Sequence, residues 1–375
     1  MGGGNGRRIT PLVAGAKAAG ATLQETLDAL AAPGSLWRAA DPGDVVCLAC
    51  GHRCLIRQGR RGICKVRFND TGVLKVPFGY VVALQADPIE KKPFFHVLPG
   101  SDALTFGMLG CSFHCGYCQN WLTSQTLRDG GAGAVPTPIT AEALVGLASK
   151  RRAATVVSSY NEPLITVEWA TEIFRLARSH GLRTAMVSNG NATPDVLDHL
   201  RPWTDAFKVD LKAIDEHPYR SLGGTLRNVL DSIRMAHERG FWVEIVTLLV
   251  PGFNDRGDAV RRTADAVAAI SPDLPWHVTA FHQDYQMTDG RNTTADDLLR
   301  ACEVGRDAGL RYVYAGNLPG RVGRWEHTWC PECGELLVER YGYTILSHRV
   351  DQSGACPSCG ARIPGIWGAE GAERW

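Results

Sequence analysis

Between residues 104 and 317 the chain repeats one pattern: a short apolar run, then a stretch with helical spacing. The runs are LTFGMLG, ATVVSSY, RTAMVSN, DAFKVDLKA, FWVEIVTLLVPG, WHVTAFH and RYVYAGN. Between them, stretches such as ITAEALVGLASKR and LITVEWATEIFRLARSHG place apolar residues three and four apart. Continuous apolar strands separated by amphipathic helices predict a parallel sheet covered by helices. A closed eightfold barrel takes about 250 residues. Seven candidate strands in slightly less sequence fit an open or partial barrel better.

Several of these runs end in polar or small residues. They are Ser158-Ser159-Tyr160-Asn161-Glu162, Ser188-Asn189-Gly190, Asp210 with Lys212, and His282-Gln283-Asp284. Parallel folds place their sites at the carboxyl ends of strands, so these groups are expected to converge on one cleft. Lys208, Asp210 and Lys212 alternate in FKVDLKA and share one side of a strand. Such a row of charges is costly in a covered sheet unless it is paired or faces a wet cleft, which leaves a site role and a strand-end salt bridge both open.

The remaining sequence reads as smaller pieces. Residues 1–40 form a weak leader with one short helix around ATLQETLDAL. Residues 41–100 form a Cys-rich module in which the cysteines are followed by VLKVPFGYVVAL, which reads as two short strands with a turn at Pro77-Phe78-Gly79. The sheet-and-helix region occupies 101–325, and a small C-terminal module occupies 326–375. Charge is balanced, with 40 Lys and Arg against 39 Asp and Glu, which gives no general reason to expect nucleic acid or a membrane surface. No apolar stretch is long enough to span a bilayer, and the start makes a poor secretory signal. The expected compartment is the cytoplasm.

Twelve cysteines sharpen the reading, because eleven fall into three clusters and only Cys302 stands apart. In a reducing compartment such clusters are metal ligands rather than disulfides, and soft thiolates select zinc or iron–sulfur. Cys111, Cys115 and Cys118, spaced C-x3-C-x2-C directly after TFGMLG, can hold three irons of a [4Fe–4S] cube and leave the fourth open to chemistry. The competing reading is a closed zinc site completed by His114, which the tight loop makes awkward. Cys330, Cys333, Cys356 and Cys359 form two C-x2-C pairs separated by 22 residues. Two such knuckles make a closed tetrahedral site, with zinc the expected occupant and rubredoxin-like iron the alternative.

The first cluster is less decisive. Cys47-x2-Cys50-x3-Cys54-x9-Cys64 either closes a second structural zinc site, the reading we favour on spacing, or holds an auxiliary [4Fe–4S] cluster, with His52 a fifth candidate ligand. It does not match the bacterial ferredoxin spacing. The charges around it, Arg53, Arg57, Arg60, Arg61, Lys65 and Arg67, are all basic, which offsets a tetrathiolate and suits an acidic partner.

GCSFHCGYCQN resembles the cluster loop of the radical S-adenosylmethionine (SAM) enzymes. The whole of residues 44–366, including DPIEKKPFFHVLPG at 87–100, resembles the AmmeMemoRadiSam system radical enzymes, a group related to the pyruvate formate-lyase activating enzymes. The resemblance implies a partial (β/α)6 TIM-like barrel flanked by the N-terminal Cys-rich module and a C-terminal zinc ribbon. It also implies reductive cleavage of S-adenosylmethionine at a [4Fe–4S] cluster on Cys111, Cys115 and Cys118, with a 5'-deoxyadenosyl radical that abstracts hydrogen from a substrate.

By the same resemblance Tyr117 lies against adenine. Ser159, Asn161 and Glu162 receive the methionine amino group, although the double glycine found there in many relatives is absent. Ser188 and Asn189 contact the carboxylate or ribose, unless they simply cap a turn. Asp210 and Lys212 are further cofactor-contact candidates, and LLVPGFND shapes the pocket. An electron donor such as flavodoxin or ferredoxin is implied, and so is association with Memo-type and AMMECR1-type proteins. The substrate is a protein or a small molecule. The competing class is a zinc-stabilised binding protein without radical activity, but the C-terminal module carries no aromatic-basic stripe for nucleic acid.

Overall fold

The computed structural model describes residues 7–8 and 21–368. The chain divides into two compact units, residues 1–87 with 102–204 and residues 88–101 with 205–375. All seven apolar runs contain strands.

In the first unit Asp102–Gly107, Thr155–Ser158 and Arg183–Ser188 pair in parallel, with Ala103 opposite Thr155 and Thr155 opposite Arg183. Thr155–Ser158 is buried at every position, as a strand covered on both faces must be. Ala83–Pro88 neighbours Asp102–Gly107 and takes Arg7–Arg8 antiparallel on its other edge, so the sheet is mixed. Helix Ala141–Lys150 starts at Thr140, whose hydroxyl accepts the Ala143 N–H at 3.2 Å. Helix Val167–Ser179 buries Trp169, Ala170, Ile173, Phe174 and Ala177 along one face, the stripe its sequence spacing predicts.

The Cys-rich module belongs to this unit. Helix Leu23–Ala29 opens with a Thr22/Glu25 capping box, and Ala31–Pro33 pairs with Val73–Pro77. Trp37–Ala40, Asp44–Cys47 and Leu55–Ile56 form an antiparallel sheet. Arg67 fastens the module to helix Val167–Ser179: its guanidinium makes two 2.7 Å bonds to the Glu168 carboxylate and a third to the Ile165 carbonyl at 3.1 Å.

In the second unit Ala206–Asp210, Trp242–Leu249, Trp276–Ala280 and Val313–Gly316 form four parallel strands. Helices Leu226–Glu238, Ala259–Ala268 and Ala295–Asp307 alternate with them. The C-terminal module adds an antiparallel sheet of Thr328–Trp329, Leu336–Tyr341 and Thr344–His348. Its Cys330, Leu337, Val338, Cys356 and Trp367 share one core with Phe95, Tyr312 and Tyr314, so it is packed on the strand before it.

The lead-in segment supplies the polar anchor of that core. Glu244 is fully buried and accepts the backbone N–H of Phe95 and of His96, both at 3.0 Å, with His277 Nε2 at 2.6 Å. His96 in turn reaches Tyr314 Oη and the Pro364 carbonyl, each at 2.6 Å. Arg340 from the C-terminal sheet donates to Phe95 O at 2.9 Å and lies over the Phe95 ring. The motif DPIEKKPFFHVLPG therefore ties strand, lead-in and C-terminal module together within the second unit.

Candidate active site and metal centres

Cys111, Cys115 and Cys118 lie on the loop that follows strand Asp102–Gly107, and neighbouring strand ends brace it. The descent from strand to loop is tight. A side chain at Gly107 would meet the Ser159 carbonyl at 2.7 Å, and Gly110 has φ +95° with the Cys64 carbonyl 3.0 Å from where its Cβ would stand. Gly110 also donates to Thr123 O at 3.0 Å and accepts the Glu162 N–H at 3.2 Å.

Asn161 and Glu162 act through this frame. The Asn161 side-chain oxygen accepts the Met108 N–H at 3.0 Å. Glu162 is buried and accepts Ser188 Oγ and the Asn189 N–H, both at 2.8 Å, and the Leu164 N–H at 3.1 Å. Asn189 completes the circuit by donating to Ser112 Oγ at 3.0 Å, with Cys111 Sγ 3.9 Å from the same nitrogen. Ser159 and Tyr117 are both buried, and Tyr160, between Ser159 and Asn161 in sequence, has φ +71°, a backbone state uncommon outside glycine.

Two of the sulfurs have hydrogen-bonding partners. Phe113 N–H points at Cys111 Sγ at 3.3 Å, and Ser124 Oγ lies 3.1 Å from Cys118 Sγ. Burial, and then the Glu162 carboxylate, push the Cys111 thiol well above its ordinary range. A buried thiol of this kind ionises when a metal takes the place of its proton. Soft donors on a braced loop, with N–H and hydroxyl groups turned to sulfur, fit an iron–sulfur group.

The other cysteines form two further centres. Among the described residues, one set of three or more His, Cys, Asp or Glu has ligand atoms all within 4.8 Å of one another: Cys330, Cys333, Cys356 and Cys359. Cys330 and Cys359 sulfurs are 3.6 Å apart, and Cys333 and Cys356 are 3.7 Å apart. A tetrahedral ion with 2.3 Å metal–sulfur bonds sets its ligands about 3.8 Å apart. Both knuckles have the same backbone: Gly334 N–H bonds Cys330 O at 3.0 Å, and Gly360 N–H bonds Cys356 O at 2.9 Å.

Cys47, Cys50, Cys54 and Cys64 gather in the N-terminal module. They lie in one another's field. Burial pushes the Cys50 thiol well up, and Cys47, Cys64 and Cys54 add to the effect. The module is joined to the cluster loop by His52 Nε2, 3.1 Å from Ser112 O, and by Gly51 N–H donating to Asn191 O at 2.8 Å.

Asp210 and Lys212 belong to the second unit. Burial opposes ionisation of Asp210, but Lys208 and Lys212 outweigh it and draw its carboxyl down to about 2. Asp210 pairs with Lys208 and, at 3.2 Å, with Lys212, which is the strand-end salt bridge. Asn254 of LLVPGFND holds that region by donating to Lys212 O at 2.9 Å and Leu248 O at 2.8 Å. His282 is exposed, with its Nδ1 3.2 Å from the Gln283 carbonyl. Sequence reasoning missed Arg128, which donates to Phe113 O at 3.0 Å and Cys111 O at 2.9 Å. A lone arginine ten residues past the last cysteine carries no local signal.

A family model for the radical SAM superfamily matches residues 106–265. The chain is 35% identical over 327 residues to the uncharacterized protein MJ0808 of Methanocaldococcus jannaschii, covering 86% of this chain and 96% of that protein. It is 25% identical over 209 residues to the putative glycyl-radical enzyme activating enzyme MJ1632 of the same organism, covering 54% of this chain and 77% of that one. To the pyruvate formate-lyase 1-activating enzyme of Escherichia coli it is 26% identical over 194 residues, covering 49% of this chain and 78% of the enzyme.

Proposed function

Because the chain belongs to the radical SAM superfamily, and to one family with MJ0808, it is a radical SAM enzyme, and we propose that Cys111, Cys115 and Cys118 hold its [4Fe–4S] cluster. The observation that carries this assignment is the braced three-cysteine loop at the end of a parallel strand. When bound, the cluster supplies one electron for reductive cleavage of S-adenosylmethionine, which yields methionine and a 5'-deoxyadenosyl radical that takes hydrogen from the substrate.

The chain's own work is placement and exclusion of water. Asn161 holds Met108 at the start of the loop, Arg128 holds Cys111 and Phe113 within it, and Glu162 fixes the strand end carrying Ser188 and Asn189. The Glu162, Asn161 and Asn189 side chains are used in this bracing, so we assign them positioning roles and leave contact with the cofactor to Tyr117 and Ser159. We read the seven parallel strands as a partial barrel and the C-terminal knuckles as a zinc ribbon whose ion holds that module folded.

The similarity to glycyl-radical activating enzymes supports an activase, which takes hydrogen from a glycine of a protein partner. Memo-type or AMMECR1-type proteins are candidate associates, and a small-molecule hydrogen donor is the second reading. An acidic flavodoxin or ferredoxin suits the exposed Arg57, Arg60 and Lys65. Among the described residues no helix is long and apolar enough to cross a membrane, and thiolate centres of this kind suit the reducing cytoplasm.

The test supplies deuterium-labelled protein and metabolite fractions under anaerobic reduction and measures deuterium in the recovered 5'-deoxyadenosine. Label from a protein fraction is the expected result. Label from metabolites alone would overturn the activase reading.

A further inference from the structure

Three contacts join the N-terminal cysteines to the loop of Cys111, and each involves a residue at or beside a cysteine. Arg128 donates to Ile63 O at 2.7 Å and to Cys111 O at 2.9 Å, so one guanidinium spans the residue before Cys64 and Cys111 itself. His52, between Cys50 and Cys54, meets Ser112 O at 3.1 Å. The Cys64 carbonyl lies against Gly110, and Cys64, Val66 and Ile165 share one small core. A metal whose only task was to hold the hairpin Trp37–Cys47 folded would have no need of this wall.

A buried cation stands beside it. Arg67 is 1% exposed, its Nε has no hydrogen-bond partner among the described residues, and Cys47 and Cys64 both contribute to its field. The Glu168 carboxylate balances its charge, so what it has left to offer is the one N–H without a partner.

We infer that Cys47, Cys50, Cys54 and Cys64 hold a redox-active iron–sulfur cluster that relays electrons to the centre at Cys111, Cys115 and Cys118. One electron from a reduced low-potential donor protein enters the N-terminal centre and passes on to the second. The donor is left oxidised by one electron, the relay returns to its oxidised form, and no bond is made or broken. Cys54 is the half-exposed ligand, beside exposed Leu55, and marks the side from which the electron arrives. The relay role rests on the radical reading of the second centre, whereas the identity of the metal does not.

The test uses the full chain carrying Cys111→Ala, Cys115→Ala and Cys118→Ala, reconstituted anaerobically with ferrous iron and sulfide. It should keep about four irons and four sulfides per chain and show a paramagnetic signal after reduction. Cys54→Ser in that background should lose or shift the signal while zinc stays at about one per chain. In the otherwise native chain, Cys54→Ser should slow reduction of the second centre by a protein donor at least about tenfold, a factor worth about 1.4 kcal/mol. Two zincs per chain with no iron in the triple variant, or a signal indifferent to Cys54→Ser, would overturn the cluster. An unchanged reduction rate would overturn the relay. The iron count needs no S-adenosylmethionine, so it stands apart from any failure of SAM cleavage.

Discussion

The Glu162 carboxylate holds Asn189 by its backbone N–H at 2.8 Å, while the Asn189 side chain reaches forward to Ser112 at 3.0 Å in the cluster loop. One acidic residue at the end of the second parallel strand thus fixes the end of the third and, through it, the loop on the first. Glu162→Ala leaves the Ser188 hydroxyl and the Asn189 N–H buried without this acceptor, which costs about 1–3 kcal/mol for such groups. We expect a lower melting temperature and loss of iron from the reconstituted protein. Glu162→Gln, which keeps an acceptor oxygen, should recover part of both, as read by thermal unfolding and iron analysis.

A second prediction concerns pH. Burial pushes the Glu90 carboxyl up to about 7, against the opposing Gly100 N–H and Arg340. Its Oε1 accepts Gly100 N–H at 2.8 Å, and its Oε2 is buried with no hydrogen-bond partner among the described residues. The folded pKa lies above the unfolded one, so the folded state holds the extra proton. This contribution to stability is fully present below about pH 4.5 and is lost as pH rises through about 7, with a size of a few kcal/mol. Glu90→Gln should therefore melt higher than the native chain at pH 8 and close to it at pH 5. An equal shift at both pH values would contradict the account.

Removal of metal from the C-terminal knuckles should unfold that module. Cys330 and Cys356 lie in the same core as Phe95, Tyr312, Tyr314 and Trp367, so the loss should reach tryptophan fluorescence and lower the melting temperature. Cys333→Ser alters an exposed ligand and should reduce zinc from about one per chain toward none, with the visible absorbance of the iron centres retained.

The basic face of the N-terminal module gives a kinetic prediction. Arg57→Glu with Arg60→Glu and Lys65→Glu changes exposed residues and should slow turnover driven by an acidic donor protein, most strongly at low salt. Turnover driven by dithionite should be unaltered. Equal loss with both reductants would point to damage to the fold.

Much of this architecture is legible in the sequence because it rests on local pattern. The seven strands announce themselves as apolar runs, and the C-terminal knuckles follow from spacing alone. What the sequence hides is pairing across long separations. SSYNEP suggests a carboxylate awaiting an ammonium group, yet Glu162 is engaged by Ser188 and Asn189, 26 and 27 residues away. Lys208, Asp210 and Lys212 leave two readings open in the sequence, and the structure shows them paired with one another. Arg128 has no signature at all, and Arg67 shows only as one of the basic residues around the first cluster, since their roles depend on carbonyls and carboxylates brought from distant segments. The N-terminal cysteines suggest zinc by spacing, whereas their wall with the cluster loop supports the iron–sulfur centre we infer.

The most direct test of the central claim is anaerobic incubation of the reconstituted protein with dithionite and S-adenosylmethionine, followed by quantification of methionine and 5'-deoxyadenosine. The account predicts that both accumulate in equal amounts with the native chain and fall to background when Cys111, Cys115 or Cys118 is replaced by alanine. Products from the alanine variants at the native rate, or none from a native chain that carries its full complement of iron, would contradict it.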